Sequence, residues 1–90
     1  MGGQEDYTEL VAKALQVLKI KIPLNKRNLD YMLQMLKKIS KGPVMSKSEI
    51  CVHDRIRELV AAIEHKKAAK DITIVLEKLN DAVNYRDYWD

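Results

Sequence analysis

Apolar residues return every three or four positions in four separate stretches of the chain, the period of an amphipathic helix. Leu10, Val11, Ala14, Leu15 and Leu18 predict a first helix from about Tyr7 to Lys19. Asp6 or Thr8 is its cap, and acids in the first turn suit its dipole. Pro23 closes it, because the ring disfavours helical backbone at Ile22. Leu29, Met32, Leu33, Leu36 and Ile39 predict a second helix, capped by Asn25 and running to Ile39 or Ser40. Lys37 and Lys38 fall in its last turn, and Gly42 is expected as a left-handed C-cap residue ahead of Pro43.

The stretch Ser46–Glu64 organises the rest. Ser46 followed three residues later by Glu49 is a capping box. The Ser hydroxyl accepts from the Glu49 N–H, and the Glu carboxylate is expected to reach back to the Ser46 N–H. Behind it Val52, Ile56, Leu59, Val60 and Ile63 form one stripe, with Arg55, Arg57, Glu58 and Glu64 largely outside it. Asp54 is a second candidate cap after a break near His53, so this segment reads as one helix or as two. A turn at His65-Lys66-Lys67 leads to a last helix from near Ala68 to about Val83, built on Ile72, Val75, Leu76, Leu79 and Val83. The β-branched run Ile72-Thr73-Ile74-Val75 locally favours strand. The helical period outlasts it on both sides, and a lone strand has no partner in this chain. The fold class is all-α, a bundle of four to five helices.

Composition fits one small domain. Ninety residues, 47% hydrophobic and 32% charged, give a globular balance with room for one modest core. The domain is expected over residues 6–84, between a tag remnant or disordered N-terminus at 1–5 and an aromatic, acidic tail at 85–90. That tail either folds back on the core or forms a protruding contact. Gly2 invites a myristoylation reading, but Asp6 stands where that motif wants Ser or Thr. A single cysteine, Cys51, makes no internal disulfide, as in a reducing intracellular compartment. No apolar run approaches the ~20 residues of a membrane span. The formal charge is +3, unevenly spread. From Lys13 to Lys47 the bases face Asp30 alone, while both ends carry more acid. A basic half points to an acidic partner or a phosphate backbone.

Candidate chemistry is sparse. A zinc site needs about four Cys or His ligands, or three with an open position, and Cys51, His53 and His65 are the whole supply. Cys51 and His53 point to different sides of a helix, which also argues against a nucleophile–base pair. A semi-buried thiol and two surface imidazoles are expected instead. No phosphate-cradling Gly-rich loop and no EF-hand acid pattern is present. The reading is a non-enzyme with no cofactor and no metal. The lysines allow weak phosphate-backbone contact, which salt would weaken steeply. No helix carries the Arg, Asn or Gln cluster that reads base edges.

The order of parts resembles a known family. Leu29-Asp30-Tyr31-Met32-Leu33-Gln34-Met35-Leu36-Lys37-Lys38-Ile39, then Val44-Met45, then Ile50, Val52, Ile56, Arg57 and Leu59 are similar to the TFIIS N-terminal domain. That family includes transcription elongation factors, a Mediator subunit and the integrase-binding domain of LEDGF. Leu18-Lys19-Ile20 resembles the end of the first helix in the LEDGF branch. The resemblance covers roughly residues 18–83. It implies a compact right-handed bundle acting as a nuclear docking scaffold, which holds disordered, acidic-hydrophobic peptide motifs of proteins in transcription elongation or chromatin. In the LEDGF branch the partner lies against two interhelical loops, here Ile20-Lys21-Ile22 and Glu64-His65-Lys66-Lys67. This chain departs from that branch at Lys21, where the branch has Asp, and in lacking an aromatic in the second loop. The Trp of the elongation factors' last helix is missing as well, with Leu79 nearby.

The residues support the same placement independently. The connector Ile20-Lys21-Ile22-Pro23-Leu24 is unusually apolar for a loop, and either packs over the core or offers contacts to a partner. Ile20, Ile22 and Leu24 beside Lys21, Lys26 and Lys66 suit a hydrophobic anchor with acidic flanks, and the loop that the resemblance implies adds His65 and Lys67 to the candidate site. The alternatives are a nonspecific phosphate-backbone binder and a helical oligomerisation module; the domain itself is expected as a monomer or weak oligomer.

Overall fold

The computed structural model describes residues 7–21 and 26–89, without the side chains of residue 26 and of 85–89. Four helices are present among the described residues: α1 (Tyr7–Val17), α2 (Leu29–Ser40), α3 (Lys47–Glu64) and α4 (Ala69–Trp89), with a short 3-10 turn (Lys26–Asn28) ahead of α2. The chain is an all-α helical bundle. α3 and α4 share the most extensive interface, α2 packs on α3, and α1 packs on both α4 and α2.

The stripes converge on one core. Val11, Ala14, Leu15, Met32, Leu33, Leu36, Ile56, Leu59, Ile72 and Leu79 are among its buried members, and Leu10, Leu29, Ile39, Val75 and Val83 pack partly against it. Val52, Ile56, Leu59, Val60 and Ile63 are all buried on α3, which packs between α2 and α4. It is one continuous helix of 18 residues. Asp54 does not cap a second helix; its carboxylate accepts from Arg57 at 2.9 Å, one helical turn on. The β-branched run is helical too. Thr73 Oγ1 donates to the Ala69 carbonyl at 2.8 Å, and Ile74 points outward.

Helix ends differ from expectation in instructive ways. Ser46 sits in extended backbone and its hydroxyl accepts from the Glu49 N–H. The Glu49 carboxylate, however, accepts from the Met45 N–H at 3.0 Å, one residue earlier than the standard box. Lys41, not Gly42, caps α2, and Gly42 has no positive φ. Its lack of a side chain matters for space, since a Cβ there would stand 3.3 Å from the Ile39 carbonyl oxygen. The left-handed positions are lysines instead, Lys19 at φ 63° and Lys66 at φ 56°. Each closes a Schellman motif. Ile20 N–H donates to the Leu15 carbonyl at 2.8 Å and Lys19 N–H to Gln16 at 2.9 Å. Lys67 N–H donates to Ala62 at 2.9 Å and Lys66 N–H to Ile63 at 3.0 Å.

Thr8 lies inside α1 and is not its cap, while Asp6 and Asn25, the other expected caps, lie outside the described residues. So does the expected N-terminal tag, residues 1–5. α4 runs six residues past Val83 to Trp89. The backbone of the expected tail at 85–89 is therefore helical, because nothing from Asn84 onward breaks a helix. Where its aromatic side chains lie falls outside the description.

Candidate docking surfaces

The two connections expected to form one site stand apart. Ile20 and Lys21 follow the end of α1. The α3–α4 connection meets the start of α1 instead, where Tyr7 Oη donates to the Lys67 carbonyl at 3.0 Å. An 11-residue helix separates those points by about 16 Å. A shallow groove of about 220 Å³ between α1 and α4, lined by Leu10, Lys13, Val17, Thr73, Leu76 and Asn80, fits two helices setting out from the same end.

Individual residues sort accordingly. Ile20 is half-buried against the core, so this part of the connector packs down rather than presenting an anchor. Its position follows from the Schellman closure, which sets the residue after the left-handed one against the last turn. Lys21 is exposed. Ile22 and Leu24 lie outside the described residues, and Lys26 begins the 3-10 turn without a described side chain. His65, Lys66 and Lys67 are all exposed.

A second surface was not anticipated. At the corner between α2 and α3, Met45 is 84% exposed, Ile50 49% and Val44 42%. Lys41 and Lys47 flank them, both exposed. The signal was present in the sequence. Met45 and Ile50 are the residue before the α3 cap and the fourth residue of the helix, the two positions of a hydrophobic staple. Neither belongs to the stripe that α3 buries.

Charge pairing consumes only part of the basic side chains. Lys37 meets Glu64 at 2.6 Å, Arg55 meets Glu58 at 2.8 Å, and Arg57 meets Asp54 at 2.9 Å. Arg57 also donates to the Ser40 carbonyl at 2.7 Å, placing a cation on the C-terminus of α2, where it opposes the dipole. Ser40 Oγ donates to the Lys37 carbonyl in the same turn. These contacts wall a groove of about 270 Å³ between α2 and α3, which Lys41 also lines. Lys38, Lys41, Lys47, Lys66 and Lys67 are exposed and take no part in these pairs.

Of the candidate ligands, Cys51 is half-buried and His65 exposed. His53 departs from expectation. It is buried, and its Nδ1 has no hydrogen-bond partner. Spacing explains the burial, since His53 is three residues before Ile56 and seven before Val60, on the edge of the α3 stripe. Among the described residues no three His, Cys, Asp or Glu side chains are grouped to hold a metal ion. No helix among them is long and apolar enough to cross a membrane. Comparison with known protein families, with curated proteins and with solved structures finds no match.

Proposed function

We propose that this domain is a non-catalytic docking module for short acidic-hydrophobic segments of disordered partner proteins. One observation carries the reading. Lysines without an acidic partner stand beside exposed apolar side chains, most clearly Lys41 and Lys47 around Val44 and Met45. Lysines alone would suit a phosphate backbone. An adjoining apolar surface adds a place for an anchor, which gives buried area while the charges give on-rate and register. The resemblance of the second and third helices to the TFIIS N-terminal domain supports a nuclear setting and partners in transcription elongation or chromatin.

The test is an NMR titration of labelled domain with an acidic-hydrophobic peptide and, separately, a short DNA duplex, each at two salt concentrations. Localised shifts with the peptide that persist at moderate salt are the expected result. Shifts spread over lysines with DNA alone, fading as salt rises, overturn the reading in favour of a phosphate binder.

A further inference from the structure

We propose that the docking surface is the α2–α3 corner, with Met45 and Ile50 as the apolar seat and Lys41 and Lys47 as its charged rim. Its occupant is an acidic segment of a partner protein bearing one bulky apolar side chain. The placement rests on the docking reading above and names its site.

The corner is held by its own hydrogen bonds. The Met45 N–H donates to the Glu49 carboxylate, Ser46 caps α3, and the Ser46 and Ser48 hydroxyls meet at 2.9 Å. Met45 is thus displayed from backbone that the capping box fixes, so little ordering entropy remains to be lost on binding. Staple geometry places Ile50 on the same side as Met45, yet the pair stays open to solvent. A staple that served only the helix would cover more of the methionine than this one does. Methionine is also the apolar side chain best able to adapt to a partner's shape.

Charge selects the occupant. The Glu49 carboxylate accepts from the Met45 N–H and keeps its charge, while Asp54 pairs with Arg57. Lys41 and Lys47 are exposed and form no ion pair with either carboxylate, which leaves the corner with two lysines to the one unpaired carboxylate of Glu49. A second copy of the corner would bring these lysines against each other, and a nucleic acid has no use for Met45 and Ile50. An acidic segment satisfies both features. Lys41 also borders the α2–α3 groove, which gives such a segment a direction in which to continue.

The test uses fluorescence polarisation with a labelled peptide whose central Phe is flanked by Asp and Glu. Met45→Asp is expected to weaken binding about 10-fold or more, the loss typical of an anchor. Lys41→Glu and Lys47→Glu are expected to weaken it severalfold and to flatten its salt dependence. Lys78→Glu, the same charge change on exposed α4, is expected to alter it less than about twofold. Urea unfolding of each variant separates lost binding from lost folding. If Met45→Asp binds like the parent while Lys66→Glu does not, the corner is wrong and the docking function stands at the α3–α4 connection. If the parent binds duplex DNA and not the peptide, the docking reading falls and the corner falls with it. If Met45→Asp instead turns a sedimenting dimer into a monomer, the occupant is a second copy and the proposal is overturned.

Discussion

Lys66→Gly should stabilise this protein although it removes a whole side chain and a charge. Lys66 holds φ at 56° to close α3, as Lys19 holds 63° to close α1. A left-handed residue with a Cβ costs roughly 1–2 kcal/mol through the approach of Cβ to the following carbonyl. Glycine escapes that cost but brings about 0.5–1 kcal/mol of extra backbone entropy in the unfolded chain. The net expected gain is about 0.5–1 kcal/mol per site. Lysine near a helix C-terminus also favours the dipole by a few tenths of a kcal/mol or more, and any substitution forfeits this. The informative comparison is therefore between Gly and Ala at the same position. Both remove the ammonium and its stem, and only Gly relieves the backbone.

Urea unfolding followed by circular dichroism measures the difference. At a slope of roughly 1 kcal/mol per molar urea for a small domain, the Gly variant should unfold about 0.5–1 M later than the Ala variant. Its melting temperature should rise by about 2–8 °C. Lys19→Gly against Lys19→Ala should repeat the result, and the two gains should add, because the caps close different helices and share no partner. A Gly variant no more stable than its Ala counterpart at both sites would refute the left-handed assignment of these lysines.

Three further outcomes test the framework. Ser46→Ala should cost about 1 kcal/mol, read as a lower urea midpoint, since it strips the α3 N-terminus of the hydroxyl that accepts from Glu49 N–H. His53→Leu should add about 1 kcal/mol of stability, read as a higher urea midpoint, by removing a buried nitrogen with no partner; a loss of that size would show that the imidazole is satisfied. Ile56→Ala, at a fully buried position on α3, should cost about 2–5 kcal/mol, and a loss under 1 kcal/mol would mean that this side chain is not in the core.

Most of the architecture was legible because the stripes are unambiguous. All five apolar positions assigned to α3 are buried, and the Ser46–Glu49 pairing marked its start to the residue. What pattern could not supply was the choice between local preference and closure. Gly42 looked like the left-handed residue, yet Lys19 and Lys66 take that role. The hydrogen bonds and apolar contact of a Schellman motif outweigh the penalty on a lysine, and the α2 end closes without one. Val83 ends the apolar stripe of α4 but not the helix, which continues to Trp89 because an apolar pattern marks the buried face and not the last helical residue. The polarity of His53 points to the surface, whereas its register puts it on the edge of the α3 stripe, where it is buried. The candidate site was less legible. Sequence places Ile20 and Lys66 each beside a helix end, but only the Tyr7–Lys67 hydrogen bond reveals which end of α1 meets the α3–α4 connection.

The proposed corner also limits how tightly it binds. Covering Met45 and the exposed parts of Val44 and Ile50 contributes about 3–4 kcal/mol, at 1.5–3 kcal/mol for each fully buried apolar side chain. A partner anchor seated on them contributes a similar amount. Association costs at least about 4 kcal/mol in lost translational and rotational freedom, and ordering a disordered segment adds to this. The surplus is a few kcal/mol before the lysines act, and exposed ion pairs add up to about 1 kcal/mol each. That sum is at most about 6 kcal/mol before the ordering cost, so dissociation constants are about 40 μM at the tightest and about 1 mM or weaker once ordering is counted. Within this range partners exchange quickly and several can share one corner in turn. Selectivity then resides in the spacing between anchor and acids more than in affinity. A fixed seat with two lysines on its rim is suited to that form of recognition, because the capping box holds the spacing before any partner arrives.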